Sequence, residues 1–187
     1  RFALEARYKR GIVLYKTGRY AEALEVFDPL SRRRTGGQFA EASLFWAGMC
    51  SYQQGDYGGA ASRFAGYLSG SDRRYRDKAS LYRGLALGRS GEVEDALDIL
   101  GRVYDEPRKA GGEPEGFLFY CSLLLQEEMH RELLDVVRSG VPAFENEESR
   151  RQLTLFEAEA LWGLGSRDRA EELYREMTEA GVSDKTV

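Results

Sequence analysis

The stretch YQQGDYGGAASRF, from Tyr52 to Phe64, decides the fold of this chain. It ends one helical segment, passes through a glycine at Gly55 and an acidic helix start at Asp56, and then places alanines and an aromatic at helical spacing. A similar phrase, YKTGRYAEALEVF, runs from Tyr15 to Phe27. A helix-turn-helix phrase that recurs at a fixed interval predicts a repeat architecture.

Further copies of the phrase occur at 88–100 and 163–174, with a less regular copy at 127–137. The turn positions of the five copies are separated by 37, 36, 37 and 37 residues. This regularity predicts five stacked antiparallel helix pairs. The turn residues are Gly18, Gly55, Gly91, Glu128 and Gly165.

Residues at fixed offsets from each turn support close packing of the two helices of a pair. Seven residues before the turn stand Gly11, Gly48, Gly84, Cys121 and Ala158. Five residues after it stand Ala23, Ala60, Ala96, Leu133 and Ala170, and four residues further stand Phe27, Phe64, Leu100, Val137 and Tyr174. Glycine inside a helix is unfavourable by about 1 kcal/mol relative to alanine, so the glycine column indicates a steric need where the helices cross.

These columns resemble the tetratricopeptide repeat over essentially the whole chain. The resemblance implies an all-α, right-handed superhelix of five antiparallel helix pairs, a TPR-like solenoid. We expect a single repeat domain over 1–187, with repeats at 2–37, 38–73, 74–112, 113–146 and 147–182. The first helices are predicted at 2–17, 38–54, 74–90, 115–127 and 147–164. Because the fourth repeat lacks both the turn glycine and the small alanine, we expect any deformation of the superhelix at Glu128.

The phrases LFWAG at 44–48 and GDY at 55–57 give a second resemblance, to the repeats of bacterial cell-envelope TPR proteins. These include outer-membrane assembly components and the coordinator protein of the Tol-Pal system. The resemblance implies a non-enzymatic scaffold in the periplasm or cell envelope, with a cytoplasmic location as the alternative. The chain begins at Arg1 rather than at a methionine, which predicts a fragment of a longer chain or a processed protein.

In TPR arrays the first helices line the concave surface, so aromatic residues on these helices are candidates for binding a peptide or helix of a partner protein. The alternative is that they pack between neighbouring repeats as core. The candidate groove residues are Tyr8, Lys9, Tyr15, Phe45, Trp46, Met49, Tyr52, Tyr82, Phe119, Phe156 and Trp162.

Basic residues in the connectors form a second candidate surface, for phosphate, lipid headgroups or an acidic partner. The alternative is a set of solvated loops. These residues are Arg32, Arg33, Arg34, Arg73, Arg74, Arg76 and Lys78. A carboxylate clamp, as found in TPR chaperone adaptors, is not expected, because the matching positions of the first repeat hold Tyr8 and Ile12.

Charge is divided unevenly along the chain. Residues 1–94 carry 16 basic and 10 acidic residues, a net +6, and residues 95–187 carry 11 and 21, a net −10. This balance does not favour nucleic acid as a partner. No apolar run is long enough to span a membrane. Cys50 and Cys121 are predicted to be buried thiols rather than a disulfide.

Catalytic motifs are almost absent from the sequence. The single histidine, His130, is expected to be a polar turn residue, and the glycine-rich segment at 111–116 lacks the Lys-Ser/Thr of a phosphate loop. We therefore expect no enzyme activity, no cofactor and no metal. Two alternatives stay open: a helical targeting or regulatory domain of a larger enzyme or secretion component, and self-association through an uncapped C-terminal end.

Overall fold

The computed structural model describes residues 2–33, 37–105, 114–140, 144 and 146–183. Within these residues the chain forms ten α-helices and no β-strand, which confirms the all-α fold class. None of the described helices has the length and apolar character required to cross a membrane. The chain divides into two compact units, residues 1–103 and 104–187. The single domain and its repeat boundaries stay predictions.

The first unit is built from helix pairs that follow the predicted order. The helices are α1 (Phe2–Lys16), α2 (Tyr20–Ser31), α3 (Gln38–Gln53), α4 (Tyr57–Ser69), α5 (Arg76–Ser90) and α6 (Val93–Tyr104), the last of which ends at the boundary of the unit. Helices α1 and α2 pack together, and α3 packs against both α2 and α4. Phe27 and Phe64 are fully buried, as the residue offsets predicted.

The second unit repeats the same arrangement around its own core. The helices are α7 (Pro114–Gln126), α8 (His130–Gly140), α9 (Glu147–Gly163) and α10 (Arg167–Ser183). Helix α9 packs against α7, α8 and α10. The fully buried large side chains of the unit include Phe117, Leu133 and Leu153. Observed and predicted first helices differ by two residues or fewer at each end.

The glycine column is explained by contact with the large residue of the second helix. A Cβ atom built on Gly11 would lie 2.6 Å from the ring of Phe27, and one built on Gly48 would lie 2.8 Å from Cε1 of Phe64. These distances are too short for real carbon contacts, so the aromatic ring occupies the space that a side chain would need. The predicted steric need at the helix crossing is therefore confirmed.

The fourth turn has the same backbone as the glycine turns. Glu128 adopts a left-handed conformation with φ 56°, as do the glycines at the other four turn positions. Its amide donates to the Leu125 carbonyl at 3.0 Å, and the Met129 amide donates to the Leu124 carbonyl at 2.9 Å. The first turn makes the same two hydrogen bonds at Gly18 and Arg19. The turn backbone at Glu128 is therefore the same as at the first turn, although glycine is missing. The expected deformation of the superhelix stays a prediction.

Candidate functional site

Three aromatic side chains from successive first helices line one cavity in the first unit. Tyr15 lies on α1, Trp46 on α3 and Tyr82 on α5, and each is half-buried. The cavity has a volume of about 670 Å³. This volume is in the range of pockets that hold a small ligand or a few side chains of a peptide.

Trp46 contacts several neighbouring residues of this wall. Its ring lies 4.9 Å from the Tyr15 ring and 5.7 Å from the Tyr75 ring, measured between centroids. Its indole N–H donates a hydrogen bond to the Tyr8 hydroxyl oxygen at 3.0 Å. Trp46 therefore has a fixed position, and its polar atom is already paired within the protein.

Three of the predicted groove residues are buried, and two of them, Phe45 and Met49, still line the cavity. Phe45 is 2% exposed and stacks on Tyr75 with ring centroids 4.4 Å apart. Met49 is also buried, and with Phe45 it forms the cavity floor. Tyr52 is buried because its ring packs edge-on against Tyr82 at 5.2 Å. The period of the helix turns these positions toward the neighbouring repeat rather than toward solvent.

The other candidates have mixed environments. Tyr8 is half-buried behind Trp46, and Lys9 is exposed and pairs with Glu5 at 2.8 Å. The remaining three lie in the second unit: Phe119 and Phe156 are half-buried there, and Trp162 is 46% exposed. The Arg167 guanidinium lies 5.3 Å from the centre of the Trp162 ring.

The basic residues that follow α4 line the same cavity as the aromatic wall. Arg73, Arg74, Arg76 and Lys78 contribute to its rim, together with Asp77. Their sequence pattern predicted a separate surface. Arg32 and Arg33 are exposed and do not line this cavity, and Arg34 lies outside the described residues.

Tyr75 is a cavity residue that the sequence analysis missed. It immediately precedes α5, stacks on Phe45, and lines the cavity beside Trp46. The signal in the sequence was an aromatic inside the basic connector SGSDRRYR. An aromatic at that position is unusual for a solvated loop, because loops are rich in polar residues and glycine.

Hydrogen bonds hold this connector in place. The Glu41 carboxylate accepts hydrogen bonds from the Ser71 hydroxyl and from the Asp72 amide. The Tyr75 amide donates to the Tyr67 hydroxyl oxygen at 2.9 Å, and the Arg76 guanidinium donates to the Leu68 carbonyl at 3.3 Å. The rim of the cavity is therefore pre-organised by α3 and α4.

The charges of the connector are partly offset. Arg74 pairs with Asp72 at 2.8 Å, and the hydrogen bonds from Arg74 hold the pKa of Asp72 below its usual value. Burial raises the pKa of the nearby Tyr8 hydroxyl, and a hydrogen bond with Tyr75 raises it further. Both groups therefore keep their ordinary ionisation states at neutral pH, with Asp72 charged and Tyr8 protonated.

Reactive groups elsewhere are buried or isolated. Cys50 and Cys121 are buried and form no disulfide, as predicted, and burial raises the pKa of each thiol to about 12. His130 begins α8 and packs onto Gly163, so it is a helix-start residue in contact with the next pair. Among the residues that the structure describes, no group of three His, Cys, Asp or Glu could hold a metal ion.

Comparisons with known proteins identify the repeats. Two models of the tetratricopeptide repeat family match the chain, one over residues 8–75 and one over residues 151–176. Both segments are therefore tetratricopeptide repeats. No curated protein sequence matches the chain.

Solved structures share the fold across nearly the whole chain. MamA of AMB-1 aligns with a TM-score of 0.79 at 15% identity, covering 100% of this chain and 94% of that one. A tetratricopeptide repeat protein from Parabacteroides merdae aligns with a TM-score of 0.77 at 17% identity, covering 98% and 69%. YrrB, described as a TPR protein with an unusual peptide-binding site, aligns with a TM-score of 0.72 at 15% identity, covering 92% and 84%. The comparisons support the repeat fold, but not the finer likeness to cell-envelope proteins.

Proposed function

We propose that this chain is a non-enzymatic scaffold that binds a peptide or helix of a partner protein in the cavity of the first unit. The observation that carries the proposal is the shared cavity wall of Tyr15, Trp46 and Tyr82 on three successive first helices. Half-buried aromatic rings offer a large contact area and lose little conformational entropy on binding. YrrB, which has the same fold, is described as binding peptide, which gives the proposal a structural precedent.

A role in bacterial cell-envelope assembly is the finer part of the proposal. It rests on the sequence phrases LFWAG and GDY. Fractionation of the native host, followed by detection of the protein in the periplasmic fraction, tests this part separately. Recovery only in the cytoplasmic fraction would contradict it.

Photo-crosslinking tests the binding function. A photoreactive amino acid placed at position 82 should capture a partner in native host extract, and one placed at the exposed Glu25 position on α2 should not.

The captured protein is then purified and its affinity for this chain is measured directly. Tyr82→Ala should weaken binding, whereas Tyr57→Ala should not, because Tyr57 is half-buried outside the cavity. Equal capture from positions 25 and 82, or equal binding by both variants, would contradict the proposal.

A further inference from the structure

The cavity rim carries an excess of positive charge. Four cationic side chains line it, and Asp77 is the carboxylate among the lining residues. One of the cations, Arg74, is offset by the neighbouring Asp72. The arginine side chains stay charged at all physiological pH values, so the positive field does not depend on a titration.

The basic side chains of the rim are carried by a connector that hydrogen bonds hold in place. Glu41, Tyr67 and the Leu68 carbonyl hold the connector through the hydrogen bonds described above. A rim that is already ordered loses less entropy when a ligand binds than a mobile basic loop would lose. Positive charge at the edge of a concave site also concentrates field lines and attracts anionic ligands.

The wall below the rim selects for an apolar group. The indole N–H of Trp46 is paired with Tyr8, so the indole presents its ring rather than its donor to the cavity. Phe45 and Met49 close the floor. A side chain inserted into the cavity would therefore meet aromatic rings and the apolar side chains of Phe45 and Met49.

The concave shape of the site favours a peptide over a lipid surface as its ligand. Membrane-surface sites present basic residues and protruding apolar side chains on a face that a planar bilayer can reach. Here the aromatic side chains are half-buried and line one depression together with the cations. A flexible chain can insert a side chain into this depression, whereas a bilayer surface cannot.

We propose that the cavity binds an acidic peptide segment with one aromatic or long aliphatic anchor. This inference rests on the function proposed above and specifies the chemistry of the partner. The anchor lies between Trp46 and Tyr82, and flanking carboxylates lie against Arg73, Arg76 and Lys78.

A random dodecapeptide display library, selected on the intact chain, is the probe. We expect enrichment of peptides with several Asp or Glu residues around one large apolar residue. Fluorescence anisotropy of an enriched peptide then measures affinity. Replacing its acidic residues by Asn and Gln should weaken binding by roughly tenfold or more, as should raising the salt concentration to about 1 M.

A charge-matched pair of variants locates the acidic contact. Arg73→Glu with Lys78→Glu changes the rim, and Arg32→Glu with Arg33→Glu makes the same change in net charge at exposed residues outside the cavity. The first pair should weaken binding of the acidic peptide by roughly tenfold, and the second by about twofold or less. Circular dichroism of both variants checks that the helices are retained.

The outcomes separate this inference from the proposed function. Enriched peptides that need Tyr82 but show no acidic bias would overturn the acidic partner and leave the scaffold in place. If no enriched peptide depends on Tyr82, both proposals fail. Equal loss in the two charge variants would also overturn the inference. The inference would also be overturned if the protein floated with phosphatidylserine vesicles in a way that depends on Arg73 and Lys78, and no peptide bound.

Discussion

The indole N–H of Trp46 donates a hydrogen bond to the hydroxyl oxygen of Tyr8 at 3.0 Å. The two residues are 38 positions apart and lie on the first helices of successive pairs, α3 and α1. This contact fixes the indole ring at the edge of the cavity. The same contact therefore links the packing of α1 against α3 to the position of a residue in the proposed binding cavity.

Removal of the Tyr8 hydroxyl tests this contact. Tyr8→Phe leaves the half-buried indole N–H without its acceptor and should lower the free energy of unfolding by about 1 kcal/mol. Urea denaturation measures the change. In a Trp162→Phe background, Trp46 is the one remaining tryptophan of the chain, so its emission should also shift. Tyr57→Phe is the control, because the Tyr57 hydroxyl accepts only a long, exposed hydrogen bond from Arg89 at 3.4 Å. This substitution should lower the free energy of unfolding by less than about 0.5 kcal/mol. Equal losses in the two variants would argue against a specific role for the contact.

Close helix contact predicts opposite effects for two glycines. Gly48→Ala places a methyl group against the Phe64 ring and should destabilise the protein by about 1–3 kcal/mol, despite the higher helix propensity of alanine. Gly58→Ala meets no atom within 4 Å and should stabilise α4 by up to about 1 kcal/mol. Thermal or urea unfolding measures both. A stabilising Gly48→Ala would show that Phe64 can move away without loss.

The left-handed turn at Glu128 predicts a stabilising substitution. Glu128→Gly should raise the free energy of unfolding by about 1 kcal/mol, because a residue with a Cβ is strained at φ 56°. The reverse change at an equivalent turn, Gly165→Ala, should lower it by about 1–2 kcal/mol, since Gly165 has φ 81°. Chemical denaturation of each variant measures the change. A neutral Glu128→Gly would mean that the added freedom of the unfolded chain offsets the relief of strain.

The buried thiols predict a loss of stability at alkaline pH. Burial raises the pKa of Cys50 and Cys121 from 9.0 to about 12. Well below pH 9 both thiols are protonated in the folded and unfolded states, so they do not change the free energy of unfolding with pH. Between pH 9 and about 12 the unfolded chain ionises first, so the free energy of unfolding should fall, by about 2 kcal/mol per thiol at pH 10.5.

Urea midpoints at pH 8.0 and pH 10.5 measure this loss. A Cys50→Ala, Cys121→Ala double variant should show a weaker pH dependence than the parent chain. Some dependence should persist, because burial and the Glu132 carboxylate raise the pKa of Tyr120. An unchanged pH dependence in the double variant would show that the thiols are not its source.

The connector contact of Glu41 predicts an effect on binding. Glu41→Ala removes the acceptor of the Ser71 hydroxyl and of the Asp72 amide, so the basic rim is held less firmly, by the bonds to Tyr67 and Leu68 alone. Peptide affinity should fall by roughly threefold to tenfold, because ordering the rim then opposes binding. Glu25→Ala, at an exposed position on α2, is the control and should bind like the parent chain. Equal affinities for the two variants would show that the rim does not depend on Glu41.

The repeat architecture could be predicted from sequence because its signals are local. Helix period, turn residues and the glycine column all lie within about 40 residues of one another, and they gave the first helices to within two residues. Glu128 is an exception to the local rule that glycine occupies the left-handed turn position. The sequence gives no glycine at that turn, yet packing of the helix pair places a glutamate in the left-handed region.

The candidate site could be predicted only in part. The sequence alone determined the helix pairs and placed Trp46 and Tyr82 on first helices. Only the tertiary structure decided that Phe45 is buried while the adjacent Trp46 is half-buried, and that Tyr75 and the basic connector line the same cavity as the aromatic wall. The physical reason is that burial depends on how successive helix pairs are rotated against each other. Side chains from α1, α3 and α5 must pack together before that rotation is defined.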